Sequence, residues 1–104
     1  MAWRLKHQVF IHEWQGKIHA LRWRSIGEYW NQDRFEMEVM QLMENKDMRE
    51  VFLYAKNYIA RYRVGRVRAL MKDLYEEIIQ YGVVEPGKLY TALKLIRQWQ
   101  RGKP

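Results

Sequence analysis

The chain has 104 residues, of which 48% are hydrophobic and 30% charged, and its formal net charge is +7 at pH 7. This length and composition are those of one folded domain, and they exclude a largely disordered chain. Because cysteine is absent, disulfides, cysteine-ligated metal sites and a cysteine nucleophile are excluded as well. The excess of positive charge favours a polyanionic partner, such as nucleic acid, an anionic membrane or an acidic protein.

The first predicted unit is a basic-aromatic arm over residues 1–32. Four of the five tryptophans and all three histidines lie in its first thirty residues. Large rings among cations suit a polyanion, because the cations neutralise phosphates while the rings stack or cover apolar surface. The candidate nucleic-acid-binding residues of this arm are Trp3, Arg4, Lys6, Arg22, Trp23 and Arg24.

Two secondary structures are open for the arm. One is a helix that is bent or interrupted around Gly16, with four apolar residues on one side. These residues are Phe10, Trp14, Ile18 and Leu21. The other is a β-hairpin with strands at residues 8–14 and 17–23 around a turn at Gln15 and Gly16. We favour the helix because the rest of the chain has helical periodicity.

A helical body is predicted from residue 33 to residue 104. Asp33 with Glu36, and Asp47 with Glu50, have the spacing of capping boxes and predict two helix starts. Apolar residues at helical spacing follow both of them. The predicted fold class is therefore mainly α, a small three- or four-helix bundle preceded by the basic-aromatic arm.

Glycine and proline predict the remaining boundaries of the body. Gly65 either ends a helix or lies within one long helix, since a glycine inside a helix costs only about 1 kcal/mol. Gly82 is placed as the glycine that follows a helix C-terminus, and Pro86 as the first residue of the last helix. That helix is expected to end at Gly102.

The last helix carries the clearest basic signal. It has five basic residues and no acid from residue 86 to residue 104. One face of it, at 100° per residue, combines an aromatic ring with cations and suits the phosphates of a nucleic acid. The alternative is a solvated face whose cations are favoured near a helix C-terminus. The residues of this face are Tyr90, Lys94, Arg97 and Arg101.

A second basic cluster surrounds Gly65. It contains Arg61, Arg63, Arg66 and Arg68, and the planar guanidinium group suits phosphate better than a lysine does. The alternative is that these arginines pair with acids on neighbouring helices. The available acids are Glu36, Glu38, Asp73, Glu76 and Glu77.

The sequence indicates no catalytic residues, metal site or cofactor. His7, His12 and His19 lack the spacing of a helical metal pair, and only a hairpin would bring two of them together. The carboxylates lack the apolar surroundings that raise a pKa for acid–base catalysis. We therefore expect a non-enzymatic protein.

The basic arm followed by a small antiparallel helix bundle resembles the coat proteins of filamentous archaeal viruses, which wrap double-stranded DNA with many copies of such a unit. The likeness covers the whole chain and is one of architecture, without a sequence motif. It implies self-assembly around nucleic acid. The likeness depends on the helices predicted from Asp33 onwards and on the arm cations Arg4, Lys6, Lys17, Arg22 and Arg24.

Another likeness implies a DNA-reading regulator. Residues 74–79, 82–87 and 88–99 resemble a helix-turn-helix, and residues 87–94 look like the recognition helix of winged-helix repressors. Two further alternatives are a helical adaptor or ribonucleoprotein subunit that binds a partner protein, and a peripheral membrane binder.

The function we expect is largely sequence-independent binding of nucleic acid by an architectural or packaging protein, in a virus coat or another nucleoprotein. Double-stranded DNA is the favoured partner, with self-association into an oligomer or assembly, and a membrane surface is disfavoured. Signal-peptide and transmembrane patterns are absent from the sequence. The expected location is therefore intracellular, or the virion.

Overall fold

The computed structural model describes residues 2–24 and 31–102, which contain six helices and no strand. The helices are α1 (Ala2–Leu5), α2 (Gln8–Arg24), α3 (Gln32–Leu42), α4 (Lys46–Arg61), α5 (Arg66–Tyr81) and α6 (Pro86–Gly102). The predicted mainly α fold is confirmed, with four helices in the predicted body. Trp30, one of the tryptophans of the predicted arm, lies outside the described residues.

The N-terminal segment is helical and not a hairpin. α2 continues through Gly16, and the interruption lies instead at Lys6 and His7, between α1 and α2. Trp14, Ile18 and Leu21 are buried at positions i, i+4 and i+7 of α2. Burial at this period stabilises the helix more than its glycine and its β-branched residues destabilise it.

α2 packs against α5 and shares its core with the rest of the bundle. The Trp14 side chain is 3% exposed, and its Nε1–H donates to the Ile79 carbonyl at 3.0 Å. Next to it, Gln15 Nε2 donates to the Gln80 carbonyl at 3.1 Å. Residues 8–24 therefore contribute core side chains as well as surface cations.

Asparagines cap α3 and α4. The Oδ1 atoms of Asn31 and Asn45 each accept a hydrogen bond, at 3.0 Å, from the backbone N–H three residues later. The capping boxes predicted at Asp33 and Asp47 are wrong, because both aspartates lie in the first turn, where the helix dipole favours their charge. Asparagine and aspartate are equally good caps, so spacing alone did not identify the first helical residue.

The breaks predicted at glycine and proline are confirmed. Gly65 has a φ of 123° directly before α5, so one continuous helix through it is excluded. Gly82 follows α5 with a φ of 72°, and its N–H donates to the Ile78 carbonyl at 2.8 Å. Pro86 is the first residue of α6, which ends at Gly102.

The core lies around α4 and α5, which pack as an antiparallel helical hairpin, with α2, α3 and α6 against them. None of the helices in the described part of the chain is long and apolar enough to cross a membrane. The largest fully buried side chains are Phe52, Met71, Leu74, Ile78, Ile96, Val39 and Val51.

Candidate nucleic-acid interface

Three arginines project from the turn between α4 and α5. Arg61 is the last residue of α4, Arg66 is the first residue of α5, and Arg63 lies between them. All three are exposed, and we call them the arginine turn. The Nε–H of Arg68 donates to the Tyr62 carbonyl at 2.7 Å. Arg68 therefore stabilises the turn, and the other three guanidinium groups face solvent.

Three of the five acids that could have neutralised the arginine turn bind other cations. Glu36 lies 3.9 Å from Lys56 Nζ, while Asp73 and Glu77 both pair with Lys88, at 2.7 and 2.8 Å. Within residues 2–24 and 31–102, no member of the arginine turn has a carboxylate oxygen within 4.0 Å. Of the two interpretations that the sequence left open, the structure thus disfavours internal pairing.

Glu77 is the centre of a charged network that joins α1, α5 and α6. Its carboxylate is 3.4 Å from Arg4 Nη2 and 2.8 Å from Lys88 Nζ. Hydrogen bonds to Asp73 and then Glu77 raise the pKa of Lys88 above its ordinary value. The Arg4 guanidinium also lies 3.9 Å from the centre of the Tyr81 ring. Arg4, a predicted phosphate ligand, is thus held by the body of the protein.

The predicted face of α6 is present and exposed. Its four residues, which we call the α6 basic face, line one groove together with Leu93 and Gln100, and Tyr90 is 69% exposed. Arg97 Nη2 lies 3.9 Å from Asp47 and 3.8 Å from Glu50. These acids belong to α4, so the sequence of the last helix could not reveal them. Lys94 and Arg101 are exposed and have no such acid within the described residues.

The candidate residues of the N-terminal segment differ in how far they are exposed to solvent. Lys6, Trp23 and Arg24 are exposed, Trp23 by 68%. Arg22 is exposed as well, and its guanidinium lies 5.3 Å from the centre of the Phe35 ring. Trp3 is half-buried, with its ring 5.2 Å from the Arg4 guanidinium. The candidate binding cations of this segment that stay exposed are therefore Lys6, Arg22 and Arg24.

A buried carboxylate joins α3 to α5. Glu36 Oε2 accepts hydrogen bonds from the Tyr75 hydroxyl and from Gln32 Nε2, the latter at 3.1 Å. Burial, followed by the hydrogen bond to Glu36, raises the pKa of Tyr75 above its ordinary value. Every polar partner here is another side chain of the bundle, so we assign this network a structural role.

The histidines lie apart along the N-terminal helices. His7, His12 and His19 are all exposed, and His7 meets the edge of Trp3 with ring centres 6.3 Å apart. Across the two described ranges, no group of three or more His, Asp or Glu side chains could hold a metal ion.

An aromatic groove next to the arginine turn was not predicted from the sequence. Four rings form a continuous row in it, with centre-to-centre distances of 6.4 Å from Tyr54 to Trp99, 5.6 Å from Trp99 to Tyr58 and 4.4 Å from Tyr58 to Tyr62. The tyrosines recur every fourth residue, two of them in α4 and Tyr62 directly after it, which the sequence does show. Trp99 comes from α6, so only the tertiary structure completes the row. The groove is lined by Leu53, Tyr54, Asn57, Tyr58, Arg61, Tyr62, Val67 and Trp99.

The chain was also compared with known proteins. Models of protein families, curated proteins and solved structures all give no match to it.

Proposed function

We propose that this protein binds nucleic acid largely without regard to sequence, as a non-enzymatic architectural or packaging protein, and that the arginine turn is its main phosphate-binding surface. The observation that carries the proposal is a set of three exposed guanidinium groups that have no acid partner among residues 2–24 and 31–102, in a chain of net charge +7. Arginine binds phosphate oxygens through two parallel N–H groups, which makes it well suited to this role.

The α6 basic face supports double-stranded DNA as the favoured partner. Lys94 and Arg101 are two turns apart on a rigid helix, which separates them by about 10 Å along its axis. Cations at a fixed spacing match a duplex, whose phosphates are regularly placed, better than a flexible strand. Lys6 and Arg24 add positive charge from the N-terminal helices.

The dependence of affinity on salt tests this proposal. For a labelled duplex, the logarithm of the association constant should fall linearly with the logarithm of the salt concentration, by about 0.9 for each phosphate contact. Replacement of the arginine turn by glutamines (Arg61→Gln, Arg63→Gln, Arg66→Gln) should weaken binding. It should also make this slope shallower, by close to the amount that three phosphate contacts contribute. Fluorescence anisotropy at several salt concentrations measures both quantities.

A control variant shows whether binding depends on the position of the removed charge or only on its amount. Lys46→Gln, Arg49→Gln and Lys72→Gln remove the same charge from exposed positions of α4 and α5 outside the arginine turn. This variant should keep most of the wild-type slope. Equal losses in the two variants would assign binding to net charge alone, and a flat salt response of the wild type would rule out the proposal.

A DNA-reading regulator is the second candidate, because α5, the short connection 82–85 and α6 follow one another as in a helix-turn-helix. Tyr90 and Lys94 are exposed in the first half of α6, whereas Lys88 is engaged by Asp73 and Glu77. Selection from random duplexes distinguishes the candidates. A regulator should prefer one sequence over bulk DNA by a factor of roughly 10³ or more, and a packaging protein should enrich none.

A further inference from the structure

The aromatic groove has an open end. Tyr62 is the last ring of the row and is 46% exposed, while Tyr58 and Trp99 are half-buried behind it. The backbone of Tyr62 is fixed on both sides, because its N–H donates to the Tyr58 carbonyl and its own carbonyl accepts from Arg68. The backbone that carries the exposed ring is thus fixed before any ligand binds, and the ring packs on Tyr58 with centres 4.4 Å apart.

The charge next to this ring indicates which kind of ligand fits. Arg61 lines the groove and belongs to the arginine turn, and it has no acid partner among the described residues. Asn57, also in the lining, is exposed and offers both a hydrogen-bond donor and an acceptor. A neutral apolar partner would fill the groove without using the guanidinium groups, whereas a flat ring joined to a phosphate would use all of these features.

We propose that the aromatic groove binds an unpaired nucleobase, which stacks on Tyr62 while Arg61 contacts the adjoining phosphate. Stacking on aromatic side chains is a sequence-tolerant way to bind bases, because every base has a flat face. Bases inside a duplex are already stacked on their neighbours, so the ligand is a single-stranded end or gap of the nucleic acid. This inference deepens the proposed function and rests on it.

Three ligands test the inference: a blunt duplex, the same duplex with a single-stranded overhang, and the same duplex with an overhang of abasic sites. The two overhangs carry equal phosphate charge, so their difference reports the bases alone. We expect the overhang with bases to bind at least about fivefold more tightly than the abasic one, which corresponds to about 1 kcal/mol.

Substitutions of Tyr62 locate the effect. Tyr62→Ala should abolish the preference for bases over abasic sites, and Tyr62→Phe, which keeps the ring, should retain it. Both variants should bind the blunt duplex as the wild type does, and circular dichroism would confirm that both fold. A 2-aminopurine placed in the overhang should lose fluorescence on binding the wild type and Tyr62→Phe, but not Tyr62→Ala.

The outcomes separate this inference from the proposed function. Equal affinity for the two overhangs would overturn the groove as a base site, while binding of the blunt duplex would still support the proposed function. Binding of the base overhang without any binding of the blunt duplex would overturn the duplex form of the proposed function and leave the groove supported. A base preference that survives in Tyr62→Ala would also overturn this assignment.

Discussion

The tryptophans of α2 show how position on one helix decides the role of a side chain. Trp14 faces α5 and donates its indole N–H to the Ile79 carbonyl, so it fixes α2 on the bundle. Trp23, further along the same helix, is 68% exposed. Trp99 lies between these extremes, half-buried in the aromatic row. The sequence places all three among cations or apolar residues, and only burial separates an anchor from a residue that a ligand can reach.

This difference predicts that the same substitution has effects of different size at Trp14 and Trp23. Trp14→Phe should lower the free energy of unfolding by about 1–3 kcal/mol, because the Ile79 carbonyl loses its partner and the smaller ring leaves space. Trp23→Phe should change it by less than about 0.5 kcal/mol, since the side chain is mostly exposed. Urea denaturation followed by circular dichroism measures both. Similar losses in the two variants would contradict the assignment of Trp14 as the anchor of α2.

The half-buried Tyr75, whose hydroxyl donates to Glu36, predicts a loss of stability at alkaline pH. Its pKa is raised by burial and by Glu36, whereas the same group in the unfolded chain titrates at about pH 10. As the pH rises above that value, the unfolded chain loses this proton first, so the free energy of unfolding declines. Below it, the contribution of Tyr75 is fully present.

Tyr75→Phe tests this prediction. The variant should be about 1–3 kcal/mol less stable at neutral pH, because Glu36 loses a hydrogen-bond donor. Above pH 10 its stability should decline less steeply than that of the wild type. The raised pKa of Lys88 acts in the same direction, but it is common to both proteins and cancels in the difference. Parallel declines would show that Tyr75 does not contribute to the pH dependence.

At the scale of helices, local signals were predictable and distant contacts were not. Gly82 and Pro86 determine the backbone near themselves, and both boundaries were predicted correctly from the residue type. At Gly65 the residue type left a break and a continuous helix open, and the structure has the break. The ion pair of Arg4 with Glu77 crosses most of the chain and joins α1 to α5. A one-dimensional pattern does not contain that contact, so the sequence assigned Arg4 to the ligand surface. The aromatic groove was missed for the same reason.

Two glycines of this framework should respond oppositely to alanine. An ideal Cβ at Gly82 would lie 2.6 Å from the Trp14 ring, and its φ of 72° is unfavourable for alanine, by about 1–2 kcal/mol. Gly16 lies within α2, and apart from its own helical neighbours no atom of the described residues lies within 4 Å of an added Cβ. Gly82→Ala should therefore destabilise the protein by more than about 1 kcal/mol, and Gly16→Ala should stabilise it by about 0.5–1 kcal/mol. Thermal unfolding of both variants would reveal the signs, and a destabilising Gly16→Ala would argue against an uninterrupted α2.

The whole molecule carries less charge than the length of duplex that it would cover. Its extents are 44 × 36 × 24 Å and its net charge is +7. A duplex has one negative charge per about 1.7 Å, so even the shortest extent spans about 14 phosphates, of which one copy neutralises about half. A single file of copies would leave the DNA strongly negative. Neutralisation requires copies on more than one side of the duplex, which is the arrangement of a coat.

The ratio of protein to DNA at saturation therefore distinguishes a coat from an isolated binder. Seven charges match about 12 Å of duplex, or between three and four base pairs for each copy. If copies surround the duplex, the electrophoretic mobility of the complex should vanish near that ratio, and electron microscopy should show continuously covered filaments that dissociate at high salt. A single file of copies reaches a density of only one copy for about seven base pairs. Saturation near that ratio, with a complex that still migrates as an anion, would therefore reject the coat. It would still support binding of nucleic acid.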